Sequence, residues 1–402
     1  MTSPSSSPTL PHLRLALALS LGAAVSLGIT RFAYGLLLPP MRDDLGWSYT
    51  LAGAMNTFNA VGYLLGALAT PGLLRRLGTA PLLVGGSALA SLFMGLSGFF
   101  TGAAPLLAQR LLAGVASAFV FIAGGLLAAR LGAMSPRRSG LLLGLYYGGT
   151  GLGIVASALG VPWTLALAAD VPHGWTWAWW GLAGLCLLAT LLLRWPARVL
   201  GEAPSPTAGA GAVAQASRRF RARDFAPGLA GYTLFGVGYI GYMTFVVALL
   251  RQQGVGPAAI TAFYALLGVA VLASSRIWAG LLDRHHGGGA LARLNALLGV
   301  ATVVPALTAS WPLVLGSGLL FGAVFLSVVA STTALVRHNL PPAQWATGIS
   351  AFTIVFALGQ IVGPTVVGLI ADGPGGLARG LLFSAGALWL GALLAWRQRA
   401  LQ

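Results

Sequence analysis

The stretch Leu13–Leu38, LRLALALSLGAAVSLGITRFAYGLLL, contains only two charged side chains, Arg14 and Arg31. It is longer than the roughly 20 apolar residues that an α-helix needs to cross the hydrocarbon core of a bilayer. A cleavable signal sequence has a shorter apolar segment, and Arg31 lies near the far end of this one. We therefore interpret the stretch as a retained membrane helix.

The rest of the chain has the same composition. Of its 402 residues, 57% are hydrophobic and only 7% are charged, whereas an ordinary soluble domain carries about 25% charged residues. We predict an all-α membrane protein with twelve transmembrane helices. The predicted spans are Leu13–Leu38, Leu51–Leu74, Ala80–Phe100, Ala103–Ala129, Gly140–Val161, Trp175–Leu193, Pro227–Leu250, Ala258–Leu282, Ala290–Ala309, Pro312–Val336, Ala346–Ala371 and Gly376–Trp396.

The distribution of arginine predicts the orientation in the membrane. All 23 basic residues are Arg; 17 fall on the side of the two termini, and three, Arg42, Arg251 and Arg379, fall on the opposite side. Because cytoplasmic loops are enriched in basic residues, both termini are predicted to be cytoplasmic, in a bacterial inner membrane. Anionic lipid on that face accounts for the net charge of +16 without a nucleic-acid partner.

One connection is longer than the others and divides the chain into two halves. It is rich in Pro, Ser, Gly and Ala, ends in an Arg cluster and reads as a flexible cytoplasmic linker. The predicted regions are a disordered tail 1–12, a six-helix bundle 13–195, the linker 196–225, a six-helix bundle 226–397 and a tail 398–402.

The two halves resemble each other at an offset of 208 residues. Gly28 lies opposite Gly236, and Gly72 lies opposite Gly280. Six-helix repeats related by an axis along the membrane normal are found in one large class of secondary transporter. We therefore predict two pseudo-symmetric bundles.

Short loop motifs resemble signatures of the major facilitator superfamily. Gly72-Leu-Leu-Arg75-Arg76-Leu-Gly78 and Gly280-Leu-Leu-Asp283-Arg284-His-His-Gly287 are similar to its G-x-x-x-D-R-x-G loop, and Arg110-Leu-Leu-Ala-Gly114 is similar to its R-x-x-x-G motif. The resemblance covers the chain after residue 12. It implies the major facilitator fold and solute transport by alternating access.

The resemblance also implies a cytoplasmic latch, in which the loop acid contacts a neighbouring helix end and stabilises one access state. Arg75 stands where the first copy of the motif has its acid, which leaves Asp283 as the better latch candidate. The coupling or gating candidates are Arg76, Arg110, Asp283 and Arg284.

Two further segments point to narrower groups. Gly28-Ile-Thr-Arg31-Phe-Ala-Tyr-Gly-Leu-Leu-Leu-Pro39-Pro-Met, followed by Gly62-Tyr63-Leu-Leu-Gly66, resembles a bacterial subgroup of YbfB/YjiJ type. Arg276-Ile-Trp-Ala-Gly280-Leu-Leu-Asp283-Arg284 is similar to helix 8 of oxalate/formate exchangers and monocarboxylate transporters, although its Gly-to-Asp spacing is one residue shorter. In those proteins an Arg one turn before the Gly binds the substrate carboxylate, which implies that role for Arg276.

Three arginines fall within the predicted spans, where a charge costs about 2.5–3.5 kcal/mol on insertion scales. Arg31 and Arg276 each lie roughly 10 Å from the nearer membrane face at 1.5 Å per helical residue. Each therefore either lines a water-filled substrate path or extends its side chain to the interface. Arg110 either acts on substrate or coupling, or bonds a carbonyl at a helix break.

Acidic and histidine residues are predicted to lie outside the membrane core. The acids are Asp43, Asp44, Asp170, Glu202, Asp224, Asp283 and Asp372. A core with Arg and no acid attracts an anion and repels a cation, and it lacks the carboxylate that proton-driven drug exporters use as a proton carrier. We expect Arg31 and Arg276 to bind a small organic anion, a carboxylate, through their planar guanidinium groups. Coupled protons would travel on the substrate or through a boundary acid such as Asp43 or Asp283.

Polar side chains at helical spacing add further candidate ligands. Asn56, Asn59 and Tyr63 share one face of the second span, and Tyr34 lies one turn from Arg31. Hydrogen bonding between helices is the alternative role for the uncharged residues. The complete substrate-binding prediction is Arg31, Tyr34, Asn56, Asn59, Tyr146, Tyr239, Tyr242, Arg276 and Gln360.

Secondary transport is the leading prediction, with import and export both open. The alternatives are proton-coupled drug or xenobiotic efflux and a non-transporting membrane sensor or scaffold. No metal cluster, nucleophile–base pair or nucleotide loop is recognisable in the sequence, so no enzyme activity, metal or cofactor is predicted. The predicted partners are a small-molecule substrate, a co-transported or exchanged ion and membrane lipids, for a protein that acts as a monomer.

Overall fold

Twelve long helices span the computed structural model, which describes residues 9–135, 138–201, 220–341 and 344–401. The described residues include no strand. Helix α1 consists of three consecutive segments, Thr9–Ala23, Ala24–Phe32 and Tyr34–Leu45. The other helices of the first half are α2 Tyr49–Leu77, α3 Thr79–Ser97, α4 Ala103–Met134, α5 Ser139–Leu167 and α6 Trp175–Gly201.

The second half follows the same order. A 3₁₀ turn, Ala222–Phe225, leads into it, and a short helix, Ala279–Arg284, follows α8. Its long helices are α7 Ala226–Gln252, α8 Pro257–Ile277, α9 Gly289–Leu307, α10 Trp311–Asn339, α11 Trp345–Ala371 and α12 Gly376–Trp396. The predicted number of twelve membrane-spanning helices is confirmed, although the predicted span Ala258–Leu282 is interrupted at Trp278.

Helical structure extends into several predicted tails and links. The predicted tail 1–12 is helical from Thr9 onward. Helix α6 enters the predicted linker as far as Gly201, and residues 202–219 of that linker lie outside the described residues. In the predicted tail 398–402, the buried Gln398 side chain donates to the carbonyl of Asp224 at 3.0 Å. Hydropathy predicts where a helix leaves the lipid, whereas backbone hydrogen bonds can extend the helix beyond that point.

The middle part of α1, Ala24–Phe32, is a π-helix. Such wider turns are rare and occur frequently at functional sites. The helix then continues through Pro39 and Pro40 and stops at Gly46 with a left-handed φ of 63°. The π segment holds Arg31 and buries it in the protein.

The halves meet through a small set of helices. Within the first half α2 packs on α4, α3 packs on α4 and α6, and α1 packs on α5. Within the second half α7 packs on α11 and α12, α9 packs on α10 and α12, and α8 packs on α10. Between the halves α2 packs on α11, α5 packs on α8, and the last part of α1 packs on α7. These packings place α1, α2, α7 and α11 around the centre.

We distinguish the two ends of the helix array. The distal end comprises the connections 46–48, 98–102, 168–174, 253–256, 308–310 and 372–375. The opposite end, here the terminal end, contains the start of α1 and the end of α12. The two halves have the same orientation along the helix axes. Asp372, at the distal end of the second half, bonds the start of α2, at the distal end of the first half.

Glycine allows α2 and α4 to cross with their backbones in contact. A Cβ added at Gly114 would overlap the carbonyl of Asn59, and one added at Gly62 would overlap the carbonyl of Leu111. Small residues of this kind permit close helix approach in membranes. The crossing fixes Asn59 beside the middle of α4.

Candidate functional site

Arg31 lies at the centre of the protein, between the two halves, with an exposed fraction of 3%. Its Nε donates to Asn59 Oδ1 of α2 at 3.1 Å, and its Nη1 donates to Gln360 Oε1 of α11. Its guanidinium carbon lies 4.8 Å from the centre of the Tyr63 ring. The third nitrogen, Nη2, is buried and has no hydrogen-bond partner among the described residues. One corner of the guanidinium group is therefore left without a hydrogen bond in this state.

Gln360 connects Arg31 to the second half. Its Oε1 accepts from Arg31 and from the Tyr239 hydroxyl of α7, the latter at 2.7 Å. The arrangement joins α1, α7 and α11 through buried side chains. A ligand on Arg31 therefore touches a network that contains groups from both halves.

Arg110 of α4 lies in a second buried network beside the first. Its Nη1 donates to the carbonyl of Thr30 at 2.5 Å, its Nη2 to Asn56 Oδ1 at 2.9 Å, and its Nε to the carbonyl of Met55 at 3.3 Å. Its own carbonyl accepts from Asn59 Nδ2 at 3.2 Å. Of the two roles that the sequence leaves open, this geometry matches the bond to a helix-break carbonyl, because Thr30 belongs to the π segment.

The two networks place positive charge at the centre without a counter-ion. Arg31 and Arg110 lie close enough to interact electrostatically. The ion pairs of the described residues are Arg42–Asp43, His173–Asp44 and Arg223–Asp224, which lie at helix ends and connections. A buried charge without a partner costs several kcal/mol, so an anion that reaches Arg31 would recover part of that cost.

The distal end is closed by a cross-half contact that the sequence did not reveal. Asp372, after α11, accepts from the backbone N–H groups of Tyr49 and Thr50 at 2.7 and 2.9 Å and from the Thr50 hydroxyl at 2.6 Å. We call these three residues the distal clamp. A carboxylate at the start of a helix is favoured by the unpaired N–H groups and by the helix dipole.

Other hydrogen bonds between the halves lie between the distal clamp and Arg31. The Thr57 hydroxyl donates to the carbonyl of Ile361 at 2.8 Å, and Asn56 Nδ2 donates to Thr244 Oγ1 at 2.8 Å. The Tyr264 hydroxyl donates to the carbonyl of Phe32 at 2.7 Å. No hydrogen bond of the described residues joins the halves on the terminal side of Arg31.

Comparison with known proteins supplies the family. A family model described as "Uncharacterised MFS-type transporter YbfB" matches residues 23–396. The chain belongs to this family of transporters. The predicted superfamily, fold class and multi-pass membrane character are thereby confirmed. Among curated proteins, none matches the chain.

Solved structures show the same fold. The nucleoside transporter NupG is 13% identical, with a TM-score of 0.70 over 97% of this chain and 99% of its own. A bacterial homolog of the human lysosomal transporter Spinster, in an inward-facing and unoccupied conformation, is 15% identical, with a TM-score of 0.73 over 97% of each chain. At these identities the likeness establishes the MFS fold alone.

The structure of this MFS transporter brings four of the predicted ligands together. Arg31, Asn59, Tyr239 and Gln360 share one hydrogen-bonded group. Asn56 lies in the neighbouring Arg110 network, where both ends of its amide are bonded. It therefore has a structural role in this state.

Three predicted tyrosines are bonded elsewhere. The Tyr34 hydroxyl donates to the carbonyl of Ala52 at 2.8 Å, and the Tyr146 hydroxyl donates to the carbonyl of Phe121 at 2.7 Å. Tyr242 stacks on Phe321 with ring centres 4.1 Å apart. All three are buried within helix contacts, so their hydroxyls hold helices together, the alternative that the sequence analysis gave.

Arg276 does not join Arg31, contrary to the predicted pair of arginine ligands. Its side chain is exposed near the end of α8, and no described contact connects it to Arg31. Two turns earlier on the same face Gly268 packs on Gly151, and one turn earlier Leu272 packs on Gly148 of α5. Arg276 lies beyond these contacts, toward the terminal end. The position of Arg276 in its span predicted its depth in the membrane, but not its distance from the centre of the protein.

The predicted gating loops are open in this state. Arg76, Asp283 and Arg284 are all exposed, and none takes part in a hydrogen bond or ion pair between the described residues. A terminal-end latch made by these loops stays a prediction for the opposite access state.

The distal clamp gives a direct prediction about gating. Replacing Asp372 by Ala removes a helix-capping carboxylate, a change of about 1 kcal/mol or roughly fivefold in population. We expect a cysteine at Ala248, buried one turn beyond Thr244, to react about fivefold faster with a membrane-impermeant maleimide added from the distal side. The native Cys186 is buried, so background labelling is low.

Asp43→Ala is the matched control, because Asp43 lies at the same end and pairs with its neighbour Arg42. Equal labelling rates in the Asp372 and Asp43 variants would contradict the clamp. Partial burial acts to raise the pKa of Asp372, but bonds from Thr50 and Tyr49 and the charge of Arg42 outweigh it, so the pKa lies below its ordinary value. The clamp therefore persists at neutral pH and weakens as the pH falls through that lowered pKa.

Proposed function

We propose that this protein is a secondary transporter of a small organic anion, a carboxylate, which binds to the free corner of Arg31. The observation that carries the proposal is the buried, unpartnered Nη2 of a permanently charged side chain. The absence of an acid from the networks around Arg31 supports it, since an acid would neutralise the charge that an anion needs. Arg suits this role because its guanidinium group stays charged when buried.

The proposed transport cycle is alternating access around Arg31. In the present state, contacts between the halves are concentrated on the distal side, and the terminal end supplies the route to the site. Because most arginines lie at the terminal end, we place that end and both termini in the cytoplasm of a bacterial inner membrane. The present state is then inward-facing.

Substrate binding is proposed to couple the halves through the ligands of Arg31. Asn59 belongs to the first half, whereas Gln360 and Tyr239 belong to the second. Opening the distal end requires α2 and α11 to separate, which moves Asn59 away from Gln360. This movement weakens the bonds that Arg31 makes to Asn59 and Gln360. An anion bound to Nη2 supplies interactions that replace them. Any coupled proton would travel on the substrate or through a boundary acid such as Asp43 or Asp283, in a protein that acts as a monomer.

The proposal is tested by thermal denaturation of the purified protein with ligands of similar shape and different charge. The anions are benzoate, cyclohexanecarboxylate and benzenesulfonate; benzyl alcohol is neutral and benzylamine is cationic. Uridine is added because one similar structure is a nucleoside transporter. A ligand that binds only the folded state raises the melting temperature.

We expect stabilisation by the anions, and loss of that stabilisation in Arg31→Gln. Stabilisation by benzyl alcohol, benzylamine or uridine alone would overturn the anion proposal. Proton-coupled efflux of a cationic drug is the function that a benzylamine response would favour.

A further inference from the structure

Two partly buried aromatic rings, Tyr63 of the first half and Phe356 of the second, lie on the terminal side of Arg31. Tyr63 follows Asn59 by one turn on α2, and Phe356 precedes Gln360 by one turn on α11. Because α2 runs toward the terminal end and α11 runs away from it, both rings lie one turn, about 5 Å, on the terminal side of the amides that hold Arg31. Both side chains are only partly buried.

The placement of each ring is supported by its contacts. Arg31 lies over the Tyr63 face, which fixes that ring beneath the guanidinium group. Phe356 stacks on Tyr239, which shares Gln360 with Arg31, with ring centres 5.5 Å apart and planes 22° apart. The two rings therefore approach the Arg31 site from different halves.

Further aromatic side chains continue both walls toward the terminal end. On the first half the ring centre of Phe121 lies 6.5 Å from that of Tyr63 and 5.6 Å from that of Tyr147. The Tyr147 side chain is 41% exposed. On the second half Phe235 stacks on Phe356 with planes 9° apart. The Tyr239 hydroxyl, on the second half, donates to Gln360 beside Arg31.

We infer that the transported anion is an aromatic carboxylate, whose carboxylate binds Arg31 Nη2 and whose flat ring lies between Tyr63 and Phe356. This inference rests on the proposed function and adds the shape of the substrate. Offset or edge contacts between aromatic rings give more binding than their apolar area alone. A saturated ring of similar size fills the same space without that contribution.

The inference is tested with three pairs of anions that differ only in ring saturation. The pairs are benzoate and cyclohexanecarboxylate, 4-hydroxybenzoate and 4-hydroxycyclohexanecarboxylate, and phenylacetate and cyclohexylacetate. Dissociation constants are measured on the purified full chain. We expect the aromatic member to bind about threefold to tenfold more tightly in the tightest-binding pair.

A variant separates the ring effect from general damage to the protein. Phe356→Leu keeps an apolar side chain and removes one of the two rings, so the aromatic preference should fall clearly, with only the Tyr63 contribution left, while binding of the saturated partner is retained. Phe99→Leu is the control, because Phe99 is an exposed ring beyond α3 and away from the site. It should leave the preference unchanged.

The two proposals fail in different ways. Equal or tighter binding of the saturated anions, with binding still dependent on Arg31, would overturn the aromatic inference and leave anion transport standing. An aromatic preference that is unchanged in Phe356→Leu would also overturn it. Absence of binding by all six anions would overturn the proposed function itself.

Discussion

Replacing Arg31 by Gln will abolish anion binding while the protein remains folded. The free guanidinium corner is the proposed carboxylate ligand, and removing one partner of a buried charged pair costs about 2–5 kcal/mol. Binding of benzoate should therefore weaken at least about 30-fold, and uptake of benzoate into proteoliposomes should fall to background. The melting temperature without ligand should change little, because the loss of donors to Asn59 and Gln360 offsets the gain from no longer burying an unpaired charge.

Arg276→Gln is the matched control for this prediction. Arg276 is the other membrane arginine that sequence analysis put forward, but its side chain is exposed and remote from the described Arg31 contacts. We expect its benzoate affinity to lie within about twofold of the native value, which is the range of an exposed charge. Native affinity in Arg31→Gln, or complete loss in Arg276→Gln alone, would show that the anion binds elsewhere.

Replacing Arg110, unlike replacing Arg31, will lower the stability of the protein. Arg110→Leu leaves the carbonyls of Thr30 and Met55 and the Oδ1 of Asn56 without their donor. Each buried unsatisfied acceptor costs about 1–3 kcal/mol. The variant should lose at least about 3 kcal/mol of stability and melt at a clearly lower temperature.

Arg110→Lys separates charge from geometry at this position. A lysine keeps the positive charge, but its single ammonium group cannot reproduce a fork that reaches two helices. We expect a melting temperature between those of the native protein and Arg110→Leu. A native melting temperature with abolished uptake in Arg110→Leu would instead assign Arg110 to the substrate.

The fold was largely predictable because hydropathy reports burial in lipid over long stretches. Twelve membrane-spanning helices are present as predicted, and the last one, Gly376–Trp396, has the predicted limits. The π segment in α1 was not predictable, because no local sequence pattern specifies it. Its Thr30 carbonyl is bonded by Arg110 of α4, a tertiary contact across 80 positions.

The site was predictable where chemistry and spacing agreed. Arg31 stood out as an unusual charge in an apolar span, and Asn59 and Gln360 as unusual amides. Their meeting required the packing of α2 on α11 beside the π segment of α1, which sequence spacing does not encode. Arg276 had the same chemical signal and a different tertiary position.

Other contributors carried weaker signals. Tyr63 shares a helical face with Asn59, and its ring centre lies 4.8 Å from the guanidinium carbon of Arg31. Phe356 has the equivalent spacing to Gln360 but is one apolar side chain among many in a membrane helix. Asp372 reads as an ordinary loop acid, and its partners Tyr49 and Thr50 lie more than 320 positions away.

A structure of the protein with 4-bromobenzoate tests the account most directly, because anomalous scattering locates the bromine atom independently of the protein. We expect the carboxylate on Arg31 Nη2 and the bromine on the terminal side of it, between Tyr63 and Phe356. A bromine peak at Arg276 or on the lipid-facing surface, with no ligand density at Arg31, would contradict it.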